Sequence, residues 1–95
     1  MPPTSPVTPG FPLHQVKMDI LRRKAVYHWP PPSTEWIQEK LQKQIAEMRA
    51  DGYEPEIINR ILRTLSQVAM HEANTYACNV SRAVFFAELI NLEIQ

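Results

Sequence analysis

Prolines are concentrated at one end of this chain. Eight of the nine prolines lie in residues 1–32, and the stretch after Pro55 contains neither proline nor glycine. Proline removes a backbone hydrogen-bond donor and fixes φ, so it is disfavoured inside helices and paired strands. The distribution therefore predicts an extended front and a helical back. We assign the chain to the all-α class on this basis.

Residues 1–12 are predicted to form an extended, proline-rich tail. Pro3, Pro6, Pro9 and Pro12 recur every third residue. Polyproline II has three residues per turn, so these four rings would line one edge. Two interpretations remain open, a solvated disordered tail and a tail laid along the surface of a partner.

The compartment is predicted from the tail and from cysteine usage. The first eleven residues lack the apolar stretch that a secretory signal needs. The single cysteine cannot form an intramolecular disulfide. Both features favour an intracellular, reducing compartment, such as the cytoplasm or an organelle matrix, over secretion.

Residues 13–32 are predicted to form a short helix followed by a proline linker. Leu13, Val16 and Ile20 have helical spacing. The stretch 16–20 also alternates like a strand, but no partner strand is evident elsewhere, which favours the helix. Three consecutive prolines then impose an extended backbone before the next element.

A basic cluster, Arg22, Arg23 and Lys24, lies in this segment just before the aromatic residues 27–29. Basic residues beside aromatic ones can hold phosphate groups and stack bases, so the cluster is a candidate nucleic-acid or anion contact. However, ten basic residues balance ten acidic residues, and zero net charge lacks the electrostatic signature of nucleic-acid binding. Surface solvation is the favoured interpretation, and nucleic acid is a disfavoured partner.

Residues 33–95 are predicted to form an antiparallel helical hairpin. Ser33 or Thr34 can cap the first helix, Gly52 can end it, and Pro55 suits the first position of the second. The hairpin should bring two apolar sets into contact, Ile37, Leu41, Ile45 and Met48 with Ile58, Ile61, Leu62 and Leu65.

The second helix of the hairpin is predicted to be long. Its non-polar seam runs to the end of the chain at positions 58, 62, 65, 69, 73, 76, 80, 83, 87, 90 and 94. An unbroken seam favours one helix, because a break would normally reset its phase. The alternative is two helices separated near residues 74–79.

The end of this helix is predicted to be a partner-binding surface. Thirteen of the nineteen residues from 76 to 94 are hydrophobic, and the helix at 34–50 is too short to cover them. A helix that is apolar on most sides is buried in something. A membrane span is disfavoured by the charges of Arg82, Glu88 and Glu93. The predicted contact residues are Tyr76, Phe85, Phe86, Leu89 and Leu92.

Polar residues interrupt this apolar wall at Glu72, Asn79 and Arg82. We expect them to face solvent or to border a contact surface. The alternative is that they fix the register with a partner, as buried polar groups sometimes do.

No constellation in the sequence predicts catalysis. His71 and Glu72 begin a zincin-like pattern, but Thr75 occupies the position of its second histidine. Two glycines leave no room for a phosphate-cradling loop. We therefore expect no enzyme activity, no metal site and no cofactor.

These observations predict a non-catalytic, small helical interaction protein. The leading hypothesis is an accessory or structural subunit of a larger assembly, bound to one or more larger proteins or to copies of itself. The alternative is a small stand-alone regulatory or inhibitory binder, of the phage or plasmid effector type, that docks on one larger protein.

Overall fold

Four α-helices form most of the part of the chain that the computed structural model describes, which comprises residues 11–75 and 79–94. No strand occurs in these two ranges. The helices are α1 (Phe11–Tyr27), α2 (Thr34–Ala50), α3 (Pro55–Thr75) and α4 (Val80–Glu93). The predicted all-α class is confirmed.

Helix α1 begins two residues before the boundary predicted at Leu13, so Pro12 lies in its first turn and not in an extended tail. Proline is tolerated there because the first N–H groups of a helix have no intrahelical acceptor. The other predicted tail contacts, Pro3, Pro6 and Pro9, lie outside the described residues.

The ends of α2 follow from local capping chemistry. The Ser33 hydroxyl accepts a hydrogen bond from the backbone N–H of Trp36 at 3.1 Å, which resolves the two predicted cap positions in favour of Ser33. At the other end, Tyr53 N–H donates to the Met48 carbonyl and Gly52 N–H to the Arg49 carbonyl. This pair of hydrogen bonds forms a Schellman motif. The side chains of Met48 and Tyr53, which occupy the positions of its hydrophobic contact, are both buried.

Gly52 is required at this turn because its φ is +89°. A Cβ at position 52 would meet no neighbouring atom, so the penalty for a side chain is conformational and not steric crowding by the rest of the fold. We expect Gly52→Ala to lower the free energy of unfolding by about 1 kcal/mol. Gly52→Asn should cost less, because asparagine tolerates positive φ better than alanine. Equal stability of the alanine variant and the wild type in urea unfolding would contradict this account.

The long second helix predicted for the hairpin is wrong. Helix α3 ends at Thr75 and α4 starts at Val80. The residue before α4, Asn79, accepts hydrogen bonds at its carbonyl from Arg82 and Ala83 N–H at 3.1 and 3.0 Å. The alternative of two helices separated near 74–79 is the one that forms. The chain reverses because the apolar surface of α4 is buried when α4 packs back on α3. A single continuous helix would instead carry this apolar surface away from the core.

The helices form two antiparallel pairs where the sequence predicted one hairpin. Helix α3 packs most extensively against α4, and the Ser66 hydroxyl in α3 donates to the Ala87 carbonyl in α4 at 3.5 Å. Helix α1 packs against α2, with Lys17 near Glu47 and Lys24 near Trp36.

One hydrophobic core joins the two pairs. All eight apolar residues predicted to meet across the hairpin are buried in it, together with side chains of α1 and α4. Among the helix pairs that pack closely, α2 and α3 nevertheless share the least extensive contact. The core is therefore shared by four helices and is not the interface of a single hairpin.

Candidate functional site

Helix α1 carries apolar residues on two different faces. The face that enters the core contributes four buried apolar side chains: Met18, Leu21, Ala25 and Val26. The other face holds Leu13, Val16 and Ile20, which are 56%, 53% and 57% exposed. Their i, i+3, i+7 spacing aligns them in one row, which we call the α1 stripe. A scattered exposed apolar residue is ordinary, whereas these three exposed residues lie together in one row.

The rotation of α1 is fixed at one end by a buried histidine. The Nε2 atom of His14 lies 2.7 Å from an Asp51 carboxylate oxygen, and its Nδ1 atom lies 2.5 Å from the Gln44 amide nitrogen. Since the amide nitrogen is a donor, Nδ1 accepts and the Nε2–H group donates to Asp51. The Tyr53 ring meets the imidazole edge to face at 5.3 Å. His14 therefore ties α1 to α2 and to the turn after it.

A buried ion pair fixes the other end of α1. The Arg22 guanidinium donates to Glu72 of α3 at 2.5 Å, and the Tyr27 hydroxyl donates to the same carboxylate oxygen at 2.6 Å. Both charged side chains are about nine-tenths buried. Glu72 was expected to face solvent or border a contact, and it lies instead inside the fold. Arg22 is likewise not available as part of a nucleic-acid contact, whereas its neighbours Arg23 and Lys24 are exposed.

A groove of about 240 Å³ separates the outer parts of α1 and α2. Its apolar lining is formed by Ile20, Leu21 and Trp36, and Ile20 also belongs to the α1 stripe. The remaining lining is mostly cationic. We call it the lysine groove, because it contains every lysine of the sequence: Lys17, Lys24, Lys40 and Lys43.

The charges in the lysine groove are only partly compensated. Glu47 is the one acidic residue in the lining, and it pairs with Lys17 at 3.1 Å. The ammonium groups of Lys24 and Lys40 lie 5.4 and 5.6 Å from the centre of the Trp36 ring, where its π face attracts them. Within the described ranges Lys43 makes no ion pair. The groove therefore presents a net positive surface.

A second cavity, of about 370 Å³, continues from the lysine groove along the proline linker. It shares Lys24 and Trp36 with the groove and adds His28 and the three linker prolines. The groove and this cavity together form one concave path beside α1 and the start of α2. The aromatic residue just before the linker, Trp29, is 82% exposed.

The contact surface predicted on α4 is mostly covered by the chain itself. Phe86 and Leu89 are core residues, and Phe85 is packed against the core. Leu92 is 79% exposed. The excess of apolar surface inferred from the sequence is therefore wrong for Phe86 and Leu89, because the reversal after α3 supplies the missing cover, whereas Phe85 is only partly buried. The remaining predicted contact, Tyr76, lies outside the described residues.

Of the residues in the α1 stripe and the lysine groove, Lys24 alone belongs to a predicted site, the candidate nucleic-acid or anion contact. The spacing of Leu13, Val16 and Ile20 by itself indicates only that the segment is helical. The signal that identifies them is that α1 has two apolar rows, of which a single core can cover only one.

In the two described ranges, no group of three or more His, Cys, Asp and Glu residues could hold a metal ion. Within the same ranges, no helix combines the length and the hydropathy needed to cross a membrane. Comparison of the chain with protein-family models, curated proteins and solved structures gives no match.

Proposed function

We propose that this chain is a non-catalytic helical interaction protein that binds another protein through the α1 stripe. The observation that carries the proposal is the alignment of Leu13, Val16 and Ile20, each more than half exposed, beside a concave groove. Removing such a row from water against a partner surface is worth about 25 cal/mol per Å² of apolar surface.

The polar contacts of α1 support this assignment. Turning α1 so that the stripe enters the core would pull His14 away from Asp51 and Arg22 away from Glu72. Leaving buried polar and charged groups without partners is costly. These polar contacts therefore hold α1 in the orientation that leaves the stripe exposed. Helix α1 is not loosely docked.

Two forms of this function remain, an accessory subunit of a larger assembly and a regulatory binder that folds alone. The internal burial of Phe86 and Leu89 favours the second, because a chain that covers its own apolar helix does not need a partner to fold. The single cysteine favours action in a reducing compartment.

A double variant of the stripe tests the proposal. Tagged chains are purified from the source cells, and the proteins that they retain are quantified by mass spectrometry. Val16→Asp/Ile20→Asp should reduce the retained partner by about tenfold or more, because it places two charges in an apolar contact. Far-UV circular dichroism should remain unchanged, since both positions are exposed.

Leu92→Asp is the control on another helix, because it places one such charge on an exposed apolar position of α4. Its partner yield should equal that of the wild type. Retention of the partner by the stripe variant would contradict the proposal. Loss of the partner with Leu92→Asp alone would move the contact to α4.

A further inference from the structure

We propose that the lysine groove binds an acidic amphipathic segment of the partner protein. This inference rests on the proposed function and specifies the chemistry of the partner. The starting observation is that the four lysines of the sequence all line one cavity, although they come from two helices that are separated by the linker.

The charge of the groove selects an acidic occupant. Four ammonium groups face one carboxylate, and that carboxylate already pairs with Lys17. Lys24, Lys40 and Lys43 therefore have no carboxylate of their own in the lining. Complementary charge steers association and suppresses wrong partners, so Asp and Glu side chains of the occupant are expected opposite these three lysines.

The apolar part of the groove selects an amphipathic occupant. Ile20 is shared by the groove and the α1 stripe, so apolar and cationic surface are continuous. A segment with apolar residues on one side and carboxylates beside them matches both. The volume of the groove itself, about 240 Å³, suits an inserted side chain.

Other occupants match the groove less well. Residues 1–10 of the chain contain no Asp or Glu, so this segment lacks the complementary charge. Single-stranded nucleic acid stacks its bases on free aromatic faces, but the one aromatic ring in the groove lining, Trp36, is already engaged by Lys24 and Lys40. A lipid surface is flat on this scale, whereas the groove is concave.

A displayed library of random peptides of about 16 residues, selected on the full chain held by a C-terminal tag, tests the inference. Selected peptides should be enriched in Asp and Glu next to apolar residues at helical spacing. For the best synthetic peptide, Lys40→Glu/Lys43→Glu should weaken binding by about tenfold or more in calorimetry. Arg60→Glu/Arg63→Glu is the matched control, since it reverses two exposed charges at the same spacing on α3 and should change binding by less than about twofold.

Several outcomes would overturn the inference. One is a selected set without acidic enrichment, and another is peptide binding that survives Lys40→Glu/Lys43→Glu. A third is tighter lysine-dependent binding to vesicles with about 30% phosphatidylserine or to single-stranded DNA of about 20 nucleotides. Self-association in sedimentation that the lysine reversal abolishes would assign the groove to a second copy.

The partner purification separates this inference from the proposed function. If the stripe variant loses the partner but Lys40→Glu/Lys43→Glu retains it, the proposed function stands and the acidic occupant is wrong. If both variants retain the partner, both proposals are wrong. If both lose it while the Arg60→Glu/Arg63→Glu control retains it, both are supported.

Discussion

Glu72→Ala is expected to lower the free energy of unfolding by about 3–5 kcal/mol. The substitution leaves the buried Arg22 guanidinium without its carboxylate and removes the acceptor of the Tyr27 hydroxyl. For a domain of this size, whose total stability is of the order of 5–15 kcal/mol, this is a large fraction. Urea unfolding followed by far-UV circular dichroism measures the loss.

Two further variants separate the lost ion pair from a general effect of removing a glutamate. Glu88→Ala, at an exposed position of α4, should change stability by less than about 0.5 kcal/mol. Arg22→Met combined with Glu72→Ala should recover part of the loss, because no charge is then buried alone. A loss of less than about 1 kcal/mol for Glu72→Ala itself would mean that the pair is not buried in solution.

Phe86→Ala is expected to lower the free energy of unfolding by a similar amount, about 3–5 kcal/mol. Phe86 is the largest fully buried side chain among the described residues. Truncating its ring to a methyl group leaves a cavity where α4 packs into the core. Denaturation with urea should show a lower midpoint. A charged residue at position 86 should prevent folding altogether, because the charge would be buried without solvation by water.

Leu92→Ala is the control for Phe86→Ala, since it truncates an apolar side chain of the same helix that is exposed. We expect it to change stability by less than about 0.5 kcal/mol. If Phe86→Ala were as stable as Leu92→Ala and lost only a partner, α4 would be a contact surface after all.

The helix ends that the sequence predicts well are those set by local chemistry. Ser33, Gly52 and Pro55 each act on backbone groups within a few residues, so their effect is visible without knowledge of the fold. Capping and positive φ depend on the neighbouring residues alone. Sequence reasoning therefore placed α2 at its observed bounds.

The break between α3 and α4 could not be predicted with the same certainty. The apolar seam continues across residues 74–79, and no glycine or proline interrupts it. The reversal is determined by the cover that α3 offers to Phe86 and Leu89, which is a property of the folded chain. Periodicity reports which side of a helix is apolar, but not where that helix must turn back.

The candidate site was hidden for a related reason. Its exposed position depends on His14 and Arg22, two polar residues on the buried face of α1, which obscure that face in a hydrophobicity pattern. Their partners, Gln44, Asp51 and Glu72, are 30, 37 and 50 residues away. Polar pairs at such separations leave no periodic trace in a single sequence.

The gathering of all four lysines in one groove has a practical consequence for amine chemistry. Apart from the terminal amine, every primary amine of this chain lines that groove. Ester reagents used for biotinylation, dye labelling or coupling to a sensor surface would therefore react at the proposed contact and block it. The same property makes lysine acylation, read by peptide mass mapping, a direct measure of how fully the groove is occupied.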